Sequence, residues 1–300
     1  MSVPPRFLMV APTHYNVSYS INPWMDPGRW RQDPQGMHAQ AQAASAALCQ
    51  ALQGTGAEVE LAPGSAGLPD MVFPANSAVV LDGKALLSRF RHPERRAEEE
   101  RFLAIFKALQ AKGLLREVAQ LPPGCFQEGA GDCVWDATRQ QFWGGFGPRS
   151  SRQALAAIAS HFGHEVVPLE LTSSRCYHLD VCFCVLSGGE IFYLPEALTP
   201  EALRTLRTRV DERLLIEASE DDLVHFSLNA VCVGRHIVMS RCTPALRERL
   251  QGRGYTVVEV DLSPFMLSGG SAYCMSLRLD WQSQAFAAGA QSPGTVAKHY

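Results

Sequence analysis

Apolar and polar positions follow two periods along this chain, and each change of period marks the boundary of an element. Five segments with helical spacing are predicted to be helices: HAQAQAASAALCQALQ, RRAEEERFLAIFKALQAK, SSRQALAAIASHF, TPEALRTLRTRV and TPALRERLQ. Four of them stop at a glycine, and two begin with Thr-Pro, in which the threonine caps the helix and the proline takes its first position. Ser150 or Ser151 is the expected N-cap of the third. A short strand-like run follows each helix: AEVELA, LREVAQL, HEVVPLEL, LLIEA and YTVVEVDL.

A polar residue in a loop follows these strands, and a strongly apolar run follows each loop. The loop residues are Asn76, Asp132, Asp180, Asn229 and Cys274, separated by 56, 48, 49 and 45 residues, with Asn22 a further 54 residues before Asn76. A period near 50 residues indicates a repeated unit of loop, strand, strand, helix and strand. Units that cannot each close a core must share one. About five of them around an axis would bring their loops together at one end.

The chain is therefore predicted to form one α/β domain over residues 1–287, followed by a flexible tail over residues 288–300, because no linker-like stretch interrupts it. A hydrophobic content of 46% with 19% charged residues is typical of a cored globular protein. A net charge of −3 without a long basic run argues against a nucleic-acid surface. The apolar runs are too short for a membrane span, and the N-terminus has too short an apolar core for a secretory signal. Nine cysteines, mostly inside apolar runs, indicate reduced thiols and a cytoplasmic location.

The stretch LSGGSAYCMSLRL places Cys274 behind two glycines at the start of an apolar strand. Glycines let the backbone approach a ligand closely or adopt positive φ. A thiolate at the mouth of a strand is a candidate nucleophile. The alternative is a buried structural cysteine, which is a common fate of a single thiol.

The stretch CYHLDVCFCVL combines thiols with a histidine and an aspartate. His178 and Asp180 lie two residues apart, on one side of an extended loop, as suits a general acid/base beside a carboxylate that holds a cation. The alternative for His178 is a hydrogen-bonded loop histidine. Cys182 and Cys184 alternate with apolar residues, as in a buried strand. A zinc site with Cys176 would need a second ligand pair at known spacing, so we predict no metal.

Two earlier loops carry carboxylates in the equivalent place of the repeat. FQEGAGDCVWD contains Glu128 and Asp132, and DMVFPANSAVV contains Asp70 and Asn76. Carboxylates at the mouth of a pocket bind and polarise a cation. The alternative for both stretches is a polar turn between strands.

Together, the Glu-Gly-x-Gly-Asp-like stretch, the His-x-Asp and the late Gly-Gly-x-x-x-Cys resemble the guanidine-modifying enzymes of the pentein superfamily. The resemblance runs from INPWM to GGSAYC. It implies a five-bladed α/β propeller of ββαβ repeats around a pseudo-fivefold axis. It also implies that Cys274 attacks a guanidinium carbon, that His178 is the general acid/base, and that Glu128 and Asp180 contact the guanidinium and the histidine.

Two further stretches, RFRHPERRAEEE and GFGPRSS, match the arginine-bearing loops of this family. The resemblance implies that Arg96 and Arg149 bind the substrate carboxylate through planar, bidentate guanidinium groups. Asn22, Asp70 and Asn76 complete the predicted substrate-binding set.

Asn76 stands where deiminases and dimethylarginine hydrolases usually have an aspartate, and with Asn22 it resembles the arginine dihydrolases. An amide both donates and accepts, so it can retain the neutral ureido group of citrulline for a second attack. The expected function is hydrolysis of free arginine to ornithine, carbon dioxide and two ammonia molecules, without a cofactor, metal, nucleic-acid or membrane partner. The sequence leaves open whether the chain forms a homo-oligomer. The alternatives are a dimethylarginine dimethylaminohydrolase, an arginine deiminase, a non-catalytic amino-acid-binding relative, and a metalloprotein using the Cys176–Cys184 cluster.

Overall fold

A computed structural model describes residues 4–290, without the side chains of residues 289 and 290. In this range, fifteen strands form five three-stranded sheets. In each sheet one outer strand runs antiparallel to the central strand and the other runs parallel to it. Each sheet is one blade, and the predicted five-bladed α/β propeller of the pentein fold is confirmed.

The strands follow one another in the predicted order. They are β1 Arg6–Val10, β2 Glu58–Ala62, β3 Ala78–Leu81, β4 Lys84–Leu87, β5 Glu117–Gln120, β6 Cys133–Asp136, β7 Gln141–Phe146, β8 Val166–Glu170, β9 Phe183–Val185, β10 Ile191–Tyr193, β11 Leu215–Glu217, β12 Val231–Val233, β13 His236–Met239, β14 Thr256–Glu259 and β15 Leu277–Arg278. Four blades are contiguous in sequence: β3–β5, β6–β8, β9–β11 and β12–β14.

The helices of the described range lie between or beside these strands. They are α1 Pro27–Gln32, α2 Pro34–Gly54, α3 Pro93–Arg96, α4 Glu98–Ala111, α5 Arg152–Phe162, α6 Pro200–Arg209, α7 Glu220–Val224, α8 Pro244–Gln251, α9 Ser263–Met266 and α10 Gln284–Ala290. All five predicted helices are present, one of them divided at Ala97 into α3 and α4.

The fifth blade joins the two ends of the described chain. Strand β15 pairs antiparallel with β1, which pairs in parallel with β2. Cys274 therefore takes the fifth position of the repeat, directly before the outer strand β15. Asn22 lies in the long connection between β1 and α1, so the interpretation of its 54-residue spacing as one more repeat was wrong.

Local sequence explains where the helices begin and end. The hydroxyl of Thr199 accepts a hydrogen bond from Ala202 N at 3.1 Å, and that of Thr243 accepts one from Leu246 N at 3.2 Å. Ser151 is the N-cap residue of α5 but uses its hydroxyl to bind the backbone of Phe126 instead. Helix α5 ends at Gly163, whose φ of 74° lies in the left-handed region that glycine adopts readily.

A cavity of about 250 Å³ is lined by residues of all five blades. Cys133, Cys184 and Cys232 line it. Cys182 is also buried, and its thiol lies 3.4 Å from the backbone oxygen of Leu179. All nine cysteines are free thiols. Among residues 4–290, no group of three or more His, Cys, Asp or Glu side chains is arranged to hold a metal ion.

Helix α10 crosses the predicted boundary between domain and tail, and residues 291–300 lie outside the described residues. The tail therefore stays a prediction. None of the helices in the described part of the chain combines the length and the hydrophobicity needed to cross a membrane.

Candidate active site

Three of the five polar loops of the repeat share a local conformation that places their side chains. A single 3₁₀ turn comes shortly before β3, β6 and β9, at Pro74–Ser77, Gly129–Gly131 and Leu179–Val181. The five loop residues are at most 2% exposed: Asn76, Asp132, Asp180, Asn229 and Cys274. Because these loops lie at the same end of the blades, residues that are far apart in sequence meet there.

The thiol of Cys274 lies between two side chains from other blades. It donates to Asp180 Oδ2 at 3.1 Å and accepts a hydrogen bond from Asn229 Nδ2 at 3.1 Å. Burial, followed by the negative charge of Asp180, raises the pKa of Cys274 well above the ordinary value of a thiol. In the free protein this cysteine is therefore a protonated thiol.

His178 is held by a carboxylate on one side of its ring. Its Nε2 lies 2.8 Å from Glu128 Oε2, which also accepts from Arg149 Nη1 at 2.9 Å. Burial opposes ionisation of Glu128, but Arg149 and the hydrogen bond from His178 outweigh it and lower its pKa. Glu128 is therefore an ionised carboxylate that orients the imidazole. The Arg149 guanidinium also stacks over the ring of Tyr177, 4.7 Å from its centroid.

The other ring nitrogen of His178 faces Asn76. Arg95 Nη1 donates to Asn76 Oδ1 at 2.9 Å, so the amide nitrogen points toward His178 Nδ1, 3.5 Å away. A neutral imidazole with its proton on Nε2 satisfies both Glu128 and Asn76, and this assignment follows from the hydrogen-bond network. The lone pair of Nδ1 is then available to accept a proton.

The space where these groups converge lies beside Gly131. A methyl group built on Gly131 would stand 3.5 Å from both His178 Nδ1 and Asp180 Oδ2, and it would collide with the amide of Asn76. The base, the carboxylate that binds the thiol and the amide therefore border one small volume. Only a residue without a side chain leaves this volume open.

Two buried carboxylate oxygens in the described structure have no hydrogen-bond partner, namely Asp180 Oδ1 and Asp70 Oδ1. Such groups are costly unless a ligand satisfies them. Burial raises the pKa of Asp180 to about 7, although hydrogen bonds from Cys274 and Asn229 oppose the shift. The N–H groups of a cationic ligand can donate to such oxygens.

Asp70 and Asn22, which were predicted to bind substrate, are buried and hydrogen-bonded to other parts of the chain. Asp70 Oδ2 accepts from the hydroxyl of Tyr19 at 2.9 Å. Asn22 Nδ2 donates to Ser268 O at 3.0 Å, on the loop that leads to Cys274. Gly269 in that loop has a φ of 87°, and a side chain there would press against Asn22 and Tyr177. The sequence predicted a positive φ or a close approach at the glycines before Cys274, and Gly269 shows both.

Arg96, which was predicted to bind the substrate carboxylate, does not lie in the site. It is exposed, and its guanidinium donates to Arg91 O at 3.1 Å. The buried arginine of the pair is Arg95, which is 2% exposed and forms an ion pair with Glu98 at 2.8 Å. The reason is helical phase, and a signal for it was present in the sequence. The apolar stripe of α4, extended backwards in steps of three and four residues, reaches Glu98 and Arg95 rather than Arg96.

Two residues without a predicted role, Asp132 and Asn229, turn out to hold the loops in place. Asp132 accepts from Leu179 N at 2.9 Å and from the Ser150 hydroxyl at 2.6 Å, which fixes the loop that carries His178. Asn229 binds both the thiol and the backbone amide of Cys274. Neither role was readable from spacing, because each depends on contacts between blades.

Comparison with known proteins gives consistent matches. Residues 21–279 match the family model described as eukaryotic N,N dimethylarginine dimethylhydrolase. The bifunctional arginine dihydrolase/ornithine cyclodeaminase ArgZ of Synechocystis is 38% identical over 277 residues, which are 91% of this chain and 37% of that protein. AgrE of Nostoc, with the same description, is 37% identical over 91% of this chain and 38% of its own length. This chain thus spans less than two fifths of these two relatives.

Two further comparisons involve proteins, or parts of proteins, of similar length. A dimethylarginine dimethylaminohydrolase of Mycobacterium tuberculosis is 32% identical, over 91% of this chain and 85% of that protein. A crystal structure of the substrate-bound N-terminal domain of ArgZ superposes with a TM-score of 0.87 and 37% identity, over 93% of this chain and 99% of that domain. The motifs, the five blades and these matches agree, and the chain belongs to the N,N dimethylarginine dimethylhydrolase family within the pentein superfamily.

Proposed function

We propose that this protein is a hydrolase that converts free arginine to ornithine, carbon dioxide and two ammonia molecules. The observation that carries the proposal is the neutral amide of Asn76, held by Arg95 at 2.9 Å and directed at His178. The similar N-terminal domain of ArgZ is described as an arginine dihydrolase, and this chain covers 99% of it. That similarity supports the proposal independently.

The first step is attack of the Cys274 sulfur on the guanidinium carbon. The thiol proton passes to Asp180 Oδ2, which already accepts it in a hydrogen bond at 3.1 Å. The sulfur's electron pair forms the new S–C bond. The positive charge of the bound substrate favours the thiolate and so offsets the burial that raises the pKa of Cys274.

The tetrahedral intermediate then expels one terminal nitrogen as ammonia. Asp180 passes the thiol proton to His178 Nδ1, and the imidazolium so formed delivers it to the leaving nitrogen. The neutral imidazole then removes a proton from the attacking water and returns it to the sulfur when the S–C bond breaks. Glu128, ionised and 2.8 Å from Nε2, stabilises the imidazolium that exists before the first of these transfers and after the second. Water adds to the thiouronium carbon, the S–C bond breaks, and citrulline and the free thiol result.

The second round starts from citrulline held in place. Its ureido group is neutral, so the carboxylates bind it less strongly than they bind arginine. The amide of Asn76 can accept from the ureido nitrogens and donate to the ureido oxygen. Cys274 attacks the ureido carbon and the second ammonia leaves. Water then releases a carbamate, which breaks down to ornithine and carbon dioxide.

Arg149 is the proposed partner of the substrate's α-carboxylate. It is 2% exposed, and besides Glu128 it binds only the backbone oxygen of Ile21, at 3.2 Å, among the described residues. Arg95 is already engaged by Glu98 and Asn76, so we assign it to the orientation of Asn76.

Product analysis tests the proposal. The purified protein is given arginine, citrulline or dimethylarginine, and ornithine, citrulline and ammonia are counted per substrate consumed. Two ammonia molecules and one ornithine per arginine are expected. Accumulation of citrulline without ornithine would show that the reaction stops after one hydrolysis.

The second candidate function, release of dimethylamine from dimethylarginine, is favoured by the description of the matching family. A cytoplasmic location, supported by nine free thiols, belongs to the proposal.

A further inference from the structure

The side chain of Asn229 makes two hydrogen bonds to the nucleophile Cys274, and nothing in the function proposed above uses it. It is fully buried. Its Oδ1 accepts from the backbone amides of Ser271 and Cys274, at 3.0 and 3.1 Å. Its Nδ2 donates to Cys274 Sγ and to Asp180 O, both at 3.1 Å. The two acceptor sites and the two N–H groups of the amide are thus all occupied.

The orientation of this amide leaves no ambiguity. Two backbone N–H groups can only donate, so the atom facing them must be the amide oxygen. The atom facing the sulfur is then an N–H donor. A thiol and a thiolate both accept such a bond, but the thiolate gains more, because a hydrogen bond to a charged acceptor is stronger.

We propose that Asn229 is a further catalytic residue, which positions Cys274 against Asp180 and stabilises its thiolate through the Nδ2–H···Sγ bond. When the Cys274 proton moves to Asp180 Oδ2, the electron pair left on sulfur gains a preorganised donor. The same nitrogen holds the backbone oxygen of Asp180, so the donor and the acceptor of this proton keep a fixed separation. Once sulfur binds carbon, its negative charge is gone and the hydrogen bond weakens. Asn229 thus favours the reactive state over the covalent one.

The alternative is that Asn229 only shapes the turn from Ser271 to Cys274. Asn229→Asp separates the two roles. It keeps an oxygen for the two backbone amides, but it replaces the donor to sulfur by a second oxygen. Asn229→Ala removes both contacts. Ser227→Ala is a matched control, because Ser227 is buried in the same loop and its hydroxyl binds Arg241 O at 2.7 Å, away from the thiol.

The experiment measures the rate of Cys274 alkylation by iodoacetamide against pH, by mass spectrometry of the peptide that contains Cys274. The probe is neutral and needs no turnover, so the test stands even if the proposed arginine hydrolysis, on which the catalytic meaning of the inference rests, proves wrong. We expect the midpoint of the profile to rise by about one unit or more in Asn229→Asp and Asn229→Ala. That shift makes alkylation near neutral pH roughly tenfold or more slower. Ser227→Ala should follow the parent protein.

An unchanged midpoint in folded Asn229→Asp and Asn229→Ala would overturn the inference, even if both variants hydrolyse arginine slowly. Loss of the folded state in both variants, judged by circular dichroism and thermal melting, would assign Asn229 a structural role alone and would overturn it equally. A raised midpoint in folded Asn229→Ala, a substitution that adds no charge beside the sulfur, supports it, whatever product analysis shows about arginine.

Discussion

The sulfur of Cys274 lies 3.1 Å from Asp180 Oδ2, although 94 positions separate the two residues in the chain. This contact joins two blades and defines where the chemistry takes place.

Cys274→Ser keeps the size of the side chain but replaces the sulfur by a much weaker nucleophile. Turnover of arginine should fall by at least about a thousandfold. Arginine should still raise the melting temperature, as a check that the folded site survives. Residual activity close to that of the parent would exclude Cys274 as the nucleophile.

Arginine binding should depend on pH through Asp180. Burial raises the pKa of Asp180 to about 7, so below this pH the side chain of the free protein is neutral and does not attract a cation. In Cys274→Ala, which cannot turn over, affinity should therefore rise between about pH 6 and 8, with uptake of arginine releasing a proton. Without ligand, the stability of the fold changes with pH in the opposite direction. A carboxyl with a raised pKa stabilises the fold while protonated, and this contribution is lost as pH rises toward 7.

Calorimetry in buffers of different ionisation enthalpy measures both the affinity and the released proton. Adding Asp180→Asn to Cys274→Ala should flatten the pH dependence near neutrality. An equally steep dependence in that double variant would assign the proton to another buried group, such as Asp132, whose pKa burial raises to about 6.

Two adjacent arginines should respond very differently to substitution. Arg95→Met leaves the carboxylate of Glu98, which is fully buried, without its partner, and should cost about 3–5 kcal/mol of unfolding free energy. Arg96→Met removes an exposed side chain and should change it by less than about 0.5 kcal/mol. Chemical denaturation measures both values. The double variant Arg95→Met/Glu98→Met should lose less stability than Arg95→Met alone, because no unpaired charge stays buried. Equal effects of the two single variants would contradict the helical phase described above.

Asn76→Asp should change the product rather than only the rate. A carboxylate can accept from a guanidinium but cannot donate to a ureido oxygen, and it would draw the nearby His178 toward its charged form. Citrulline should then leave before the second attack, and the ratio of citrulline to ornithine should rise at least about tenfold. Chromatography of products at early times gives this ratio. If the variant still forms ornithine alone, Asn76 is not required for the second hydrolysis.

Gly131→Ala should close the reacting volume. Its methyl group would collide with the amide of Asn76 and approach His178 Nδ1 and Asp180 Oδ2 to 3.5 Å. Arginine turnover should fall by about a hundredfold or more, since a displacement of about 1 Å is enough for such a loss. Gly54→Ala is the control, because nothing lies within 4 Å of the added methyl group at the end of α2, and its activity should match the parent. The comparison of kcat/KM for the two variants decides between a local block and a general effect of the added methyl group.

Much of the architecture could be predicted from the sequence. Period and capping are local properties, so the Thr199 and Thr243 caps, the stop at Gly163 and the strand after each helix were readable without a structure. The repeat near 50 residues implied a ring of blades, because units with one buried face must pack against their neighbours. The same repeat placed His178, Asp180 and Cys274 in equivalent loops, and the contact between Asp180 and Cys274 follows from that equivalence.

The tertiary structure decided what depends on the direction of a side chain rather than on its place in the repeat. Which of Arg95 and Arg96 is buried depends on a rotation of about 100° per helical residue, which the motif match does not resolve and only the apolar stripe of α4 indicates. The fifth blade takes β15 from the other end of the chain, so Asn22 has no equivalent position in the repeat. The contacts of Asn229 with Cys274 and Asp180 cross between blades. The sequence by itself determined which residues are available for the chemistry, since spacing and periodicity are written along the chain. Only the packing of five blades determined which atoms touch, because that depends on angles and distances between elements far apart in sequence.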